Sequence, residues 1–183
     1  MKRTIITALL LAAAVTATAA ESGKWILTGS APQAYEIGED SNDTVSGKPA
    51  RYIRYVQGEA NKFGTLMQQI SARNYQGQRV RFQAMIKTRD ASDWAGLWMR
   101  IDNKQHSVAF YNSGDKPITG TTGWQQRSVT LDVPADAEVL NFGVIDSGKG
   151  QVWIDQLALE VVGKDVPVDV QQPQPKLPSE PAL

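Results

Sequence analysis

The stretch Asp93-Trp94-Ala95-Gly96-Leu97-Trp98-Met99-Arg100-Ile101-Asp102 decides the fold. Side chains alternate across a β-strand with a period of two. Ala95, Leu97, Met99 and Ile101 then share one wholly apolar face, while Trp94, Gly96, Trp98, Arg100 and Asp102 share the other. The first face is what a sandwich turns toward its core, so Leu97, Met99 and Ile101 are expected to be buried. The second face is unlike a plain solvated surface. It carries two large aromatics, one residue without a side chain and one guanidinium, and Trp98 and Arg100 are expected to lie side by side on it.

The same period recurs outward from this stretch. Val80, Phe82, Ala84 and Ile86 alternate with Arg79, Arg81, Gln83, Met85 and Lys87. Further strand-like runs are Trp25 to Ser30, Tyr35 to Gly38, Ala50 to Val56, Phe63 to Ala72, Ser107 to Tyr111, Trp124 to Val133, Leu140 to Ile145 and Gln151 to Val162. In the Phe63 run, Leu66, Gln68 and Ile70 oppose Thr65, Met67 and Gln69. Turn signals such as Asn74-Tyr75-Gln76-Gly77 and Asp146-Ser147-Gly148-Lys149-Gly150 separate the runs. No stretch has a helical period. Short strands spaced by about 8–12 residues predict an all-β, antiparallel β-sandwich.

Composition narrows the function. The chain has 183 residues, 42% of them hydrophobic, which suits one domain with tails. Basic and acidic residues balance at 19 each, without the clustered basic surface that nucleic acid binding needs. There is no cysteine, so disulfides, thiolate metal sites and a cysteine nucleophile are absent. The single histidine, His106, precludes multi-histidine zinc sites within one chain and is expected at the surface.

Residues 1–20 read as a secretory signal peptide. Lys2 and Arg3 start it, Ile5 to Val15 form an apolar run shorter than the about 20 residues of a spanning helix, and Ala17-Thr18-Ala19-Ala20 offers a small-residue cleavage site. Its removal leaves 17 basic against 19 acidic residues and no membrane span. The expected localisation is therefore periplasmic or secreted. The sandwich is expected over 21–163. Residues 164–183 hold five of the nine prolines and neither glycine nor an aromatic residue, the composition of a disordered tail.

The closing segment carries a resemblance. Trp124, then Val133-Pro134-Ala135-Asp136-Ala137, Phe142-Gly143 and Gly150-Gln151-Val152-Trp153-Ile154-Asp155-Gln156-Leu157 resemble the ending of the galactose-binding-like jelly roll found in carbohydrate-binding modules. The span from Trp25 to Gly163 is also similar to a poorly characterised bacterial family, through Phe63-Gly64-Thr65-Leu66-Met67-Gln68, Trp94-Ala95-Gly96-Leu97-Trp98-Met99-Arg100 and Pro117-Ile118-Thr119-Gly120-Thr121-Thr122-Gly123-Trp124. It departs from that family at Tyr111-Asn112-Ser113 and at Gly123. The resemblance implies a jelly-roll sandwich and raises a structural calcium, with Asp155, Glu36 and Asp40 as ligands if the first and last strands meet. No other cofactor is expected.

A sugar ring has an apolar face that stacks on aromatic rings and polar edges that hydrogen-bond to Arg, Asn, Gln and Asp. Trp94, Trp98, Arg100, Tyr111, Asn112, Asp115, Gln68 and Trp124 are the candidate ligand-binding residues. The competing reading makes Trp94 and Trp98 a second small core under the loop of Trp124, with Arg100 paired to Asp102 or Asp155. The expected function is an exported, non-catalytic module for a carbohydrate or similar polar ligand. The alternative is an envelope or extracellular interaction domain whose protein partner engages the tail. A hydrolase is least supported. Asp93 and Asp102 flank the aromatic face nine residues apart on one strand, about 30 Å, whereas glycosidase carboxylates sit about 5–10 Å apart.

Overall fold

Nine strands and one 3₁₀ turn (Pro32–Ala34) make up the computed structural model, which describes residues 24–171. The expected signal peptide and residues 172–183 of the expected tail lie outside the described residues. The strands are β1 (Ile26–Gly29), β2 (Tyr35–Asp40), β3 (Ala50–Tyr55), β4 (Phe63–Ser71), β5 (Arg79–Asp102), β6 (Ser107–Tyr111), β7 (Ile118–Asp132), β8 (Val139–Ser147) and β9 (Gln151–Val162). All pair antiparallel.

Strand β5 runs for 24 residues and belongs to both layers. Its first half, Arg79 to Arg89, lies between β7 and β9, and β9 continues to β3 and β2. Its second half, Trp94 to Asp102, lies between β8 and β6, and β8 continues to β4 and β1. The result is the expected antiparallel jelly-roll β-sandwich. The sequence pattern suggests two strands here, one ending near Lys87 and one opening at Trp94. The structure joins them through a corner at which the inward parity changes. Val80, Phe82, Ala84, Ile86 and Thr88 face inward before it; Ala95, Leu97, Met99 and Ile101 do so after it. Asp90, at φ 54°, takes up the odd residue, and the pairing with β7 slips there.

Both halves of β5 feed one core. Phe82, Leu97, Met99 and Ile101 pack with Ile53, Leu66, Leu140, Val144 and Ile154, all nearly fully buried. Burying such side chains stabilises the fold by roughly 1.5–3 kcal/mol each. Trp25 is half-buried at the edge of this core, edge-on to Phe142.

The boundary expected at residue 164 is corrected. Residues 164–169 are docked on the layer that contains β7. Arg79 donates to the Lys164 and Val166 carbonyls. Asp169 and Thr130 bond twice, through Asp169 N to Thr130 O and Thr130 N to the Asp169 carboxylate, each at 2.9 Å. Val168 packs against the core. The valines on either side of Pro167, Val166 and Val168, are the signal that proline content concealed.

One polar side chain is misplaced in this core. Asp146 follows Phe142 and Val144 on the inner face of β8, between Gly64 of β4 and Ala95 of β5, and is wholly buried. Neither carboxylate oxygen has a hydrogen-bond partner among the described residues. Burial pushes its carboxyl up to about 7. The folded state therefore retains a proton that the unfolded chain releases near pH 4. The stability tied to that proton is present in full below pH 4 and lost as pH rises to about 7. Relative to Asp146→Asn, the unmodified protein should lose of order 3–4 kcal/mol between pH 4 and pH 7 in urea melts at stepped pH. A constant difference across that interval would contradict the assignment.

Candidate ligand-binding groove

The outer faces of β1, β4, β8, β5 and β6 line up in rows set by their register. One row reads Phe63, Ser147, Trp94. The next reads Thr28, Thr65, Ile145, Gly96, and the third Ile26, Met67, Gly143, Trp98. The fourth reads Gln69, Asn141, Arg100, Phe110. Together these rows form an open groove of about 560 Å³.

The floor is built by one indole. Trp98 is only 6% exposed and packs with Met67 and Ile145, flanked by Ile26 and Trp94. Its Nε1–H donates to Thr65 Oγ1 at 2.7 Å, and Thr65 in turn donates to the Val144 carbonyl at 2.9 Å. Reaching β4 from β5 takes the ring across β8, where the row holds Gly143. A Cβ at Gly143 would overlap the Leu66 carbonyl, so only glycine allows the two strands to approach there. The two readings of Trp98 thus merge. It is part of a second small core, but that core forms a groove floor, and Trp124 does not cover it.

Beside the floor runs a polar ladder. Gln69 donates to Asn141 at 2.8 Å, Asn141 donates to Asp102 at 2.8 Å, and Arg100 donates to the same Asp102 oxygen through Nε and a terminal nitrogen at 3.1 and 2.9 Å. The Arg100–Asp102 pairing expected as one alternative is therefore real, yet Arg100 remains exposed on the groove. Phe63 and Phe110 stand at the rims, 37% and 42% exposed.

Of the sequence candidates, Trp94, Trp98, Arg100 and Asn112 line the groove. The other four do not. Tyr111 pairs with Met99, not Arg100, so it faces the main core, 1% exposed, with its hydroxyl donating to Asp115. Asp115 is thereby engaged outside the groove. Gln68 pairs with the core residue Phe142 and lies on the inner side of β4; its neighbour Gln69 takes the groove position. Trp124 is on β7, in the other layer, and donates to Asp43 at 3.1 Å. The space beside Gly96 is filled by Ser113 and the Asn112 carbonyl. Phe63, Met67, Phe110, Asn141 and Ile145 were not among the candidates. Phe63 and Met67 share the parity of Thr65, which would have placed them; Phe110 depended on the β5–β6 register.

The opposite outer face is closed by residues 41–49. The Trp153 indole, between Lys87 and Arg89, donates to Asp40 at 3.0 Å. Lys87 and Trp124 both bond Asp43. Asp155 accepts the backbone N–H groups of Val45, Ser46 and Gln156 at 2.6, 2.9 and 2.7 Å. Burial would raise its carboxyl, but these donors outweigh it and hold it below the ordinary range. The N–H groups of Asn42 and Trp153 likewise lower Asp40. Glu36 is engaged by Arg54 and Tyr52. The expected calcium set of Asp155, Glu36 and Asp40 is thus corrected: oxygens facing N–H donors do not face a cation. No group of three or more acidic or histidine side chains able to hold a metal occurs among the described residues. No helix among them is long and apolar enough to cross a membrane.

Solved structures with this fold include a putative sugar binding protein from Bacteroides thetaiotaomicron. It is 14% identical, with a TM-score of 0.58 over 78% of this chain and 90% of that one. The family 22 carbohydrate-binding module at the C-terminal side of a Clostridium thermocellum xylanase is 13% identical, with a TM-score of 0.52 over 80% and 91%. These likenesses establish the jelly-roll fold expected from the closing segment. In sequence, the chain is 42% identical over 146 residues to an uncharacterized HTH-type transcriptional regulator of Bacillus subtilis, covering 78% of this chain. The match spans 49% of that regulator's length. No family model matches the chain.

Two measurements check this site. Thr65→Val keeps the shape but orphans the Trp98 N–H, and should cost about 1–3 kcal/mol in urea unfolding. Because Asp155 is satisfied by the backbone, excess EDTA should leave the thermal midpoint unchanged relative to added calcium.

Proposed function

We propose that this chain is an exported, non-catalytic carbohydrate-binding module whose ligand lies in the groove over Trp98. One observation carries the reading. Exposed rings at Phe63 and Phe110 and the half-buried ring of Trp94 share a single open groove with the hydrogen-bonding ladder of Gln69, Asn141 and Arg100. Aromatic faces suit the C–H side of a sugar, and the ladder suits its hydroxyls.

Binding without turnover is favoured by the lining itself. Among the described residues, no aspartate or glutamate lines the groove, and glycoside hydrolysis ordinarily needs two. The name of the Clostridium module supports a carbohydrate ligand by analogy of fold. Regulation of transcription is not carried over from the Bacillus relative. A helix-turn-helix needs helices, and the described residues hold only a three-residue 3₁₀ turn. The residue 1–20 pattern supports export.

Affinity electrophoresis through gels containing soluble xylans, galactans and glucans tests the proposal. The protein should be retarded on at least one polysaccharide, and Phe110→Ala and Arg100→Ala should each weaken retention roughly tenfold, about 1.4 kcal/mol. Equal mobility of all three proteins in every gel would refute a polysaccharide ligand in this groove.

A further inference from the structure

The rows of the groove are not chemically alike, and the order in which they change along the strands says more about the ligand. Most hydrogen-bonding side chains gather at one end, where Gln69, Asn141 and Arg100 form their row, held by Asp102 just beyond the lining. The two middle rows present Ile26, Met67, Trp98 and Ile145. On the strands of these rows the polar side chains are two threonines that are already engaged, and at their edge Asn112 stands beside Gly96 with its Oδ1 accepting the Gly114 N–H. Thr65 is bonded on both sides by Trp98 and Val144, and Thr28 donates to the Met67 sulfur at 3.5 Å. The far row closes with Phe63 and Trp94 around Ser147, whose hydroxyl donates to Asp93 at 2.5 Å. Rows two residues apart are separated by about 6.8 Å, so Arg100 and Trp94 lie about 20 Å apart along the strand.

An oligosaccharide laid along this groove would desolvate hydroxyls over the middle rows with few partners for them beyond Asn112 at the edge, which is costly. A ligand polar at one end and apolar along its length would meet no such penalty. We infer that the groove takes a glycoside with an apolar aglycone, its sugar at the Arg100 end and its hydrocarbon or aromatic body over Ile26, Met67 and Ile145. The inference rests on the carbohydrate reading above and deepens it. It replaces a chain of sugars with one sugar-bearing amphiphile.

The test uses the chain as it exists and titrates the fluorescence of its tryptophans. Probes are methyl and octyl pairs of β-glucoside, β-galactoside and β-xyloside, kept below micelle-forming concentrations. Xylohexaose and β-1,4-galactotriose serve as bare chains, and 1,2-octanediol as a sugarless amphiphile. For at least one pair the octyl glycoside should bind at least tenfold tighter than its methyl partner and tighter than either bare chain. Ile145→Thr in the floor should cut that octyl gain at least threefold. Ile26→Ser, on the edge strand, should do the same with little risk to folding. Arg100→Gln should weaken both members of the pair equally.

If a bare oligosaccharide binds tighter than every octyl glycoside, the aglycone is overturned while the carbohydrate reading stands. If 1,2-octanediol binds as tightly as the best glycoside, the sugar end is overturned and the carbohydrate reading falls with it. Absence of binding by every sugar-bearing probe overturns both.

Discussion

A strand that serves two layers must satisfy two cores' worth of neighbours with one alternation. Strand β5 does so by changing its inward parity at Asp90 to Asp93, so that Phe82 before the corner and Met99 after it meet in a single interior. That parity switch also decides what faces outward. Without the odd residue, Trp98 and Arg100 would turn inward and Leu97 and Met99 outward, a complete exchange of core and groove. The core and the groove are thus two readings of one register.

The two outer faces of the sandwich have been treated differently. On one, three aspartates fasten residues 41–49 over Trp153 and Trp124, using indole and backbone N–H groups as anchors. On the other, no comparable loop lies over Trp98 among the described residues, and its indole is anchored downward to Thr65. An indole fixed from below and only 6% exposed is a preorganised floor, since little side-chain freedom remains to be lost when a ligand arrives. The polar ladder is preorganised in the same sense, each member held by the next.

Much of this was legible in the chain. The alternation in residues 93–102 correctly placed Leu97, Met99 and Ile101 in the core and Trp98 beside Arg100 on the other face. What was not legible depended on cross-strand register. Tyr111 and Phe110 are adjacent, and only the pairing of Phe110 with Arg100 reveals which of them reaches the groove. Gln68 and Gln69 on β4 needed no register, since the local pattern already grouped Gln68 with Leu66 and Gln69 with Met67. Trp124 required knowing that β7 joins the first half of β5 rather than the second. Asp155 looked like a cation ligand because its donors, Val45 and Ser46, come from a loop more than a hundred residues earlier.

The docked residues 164–169 have a mechanical consequence. Their bonds to Thr130 and Arg79 are to the layer that contains β7, whereas the groove lies on the layer of β4 and β8. Tension drawn through the chain at residue 171 therefore enters the far layer, meeting the Asp169–Thr130 pair first and the Arg79 contacts behind it. The strands that shape the groove stand one layer removed from that load.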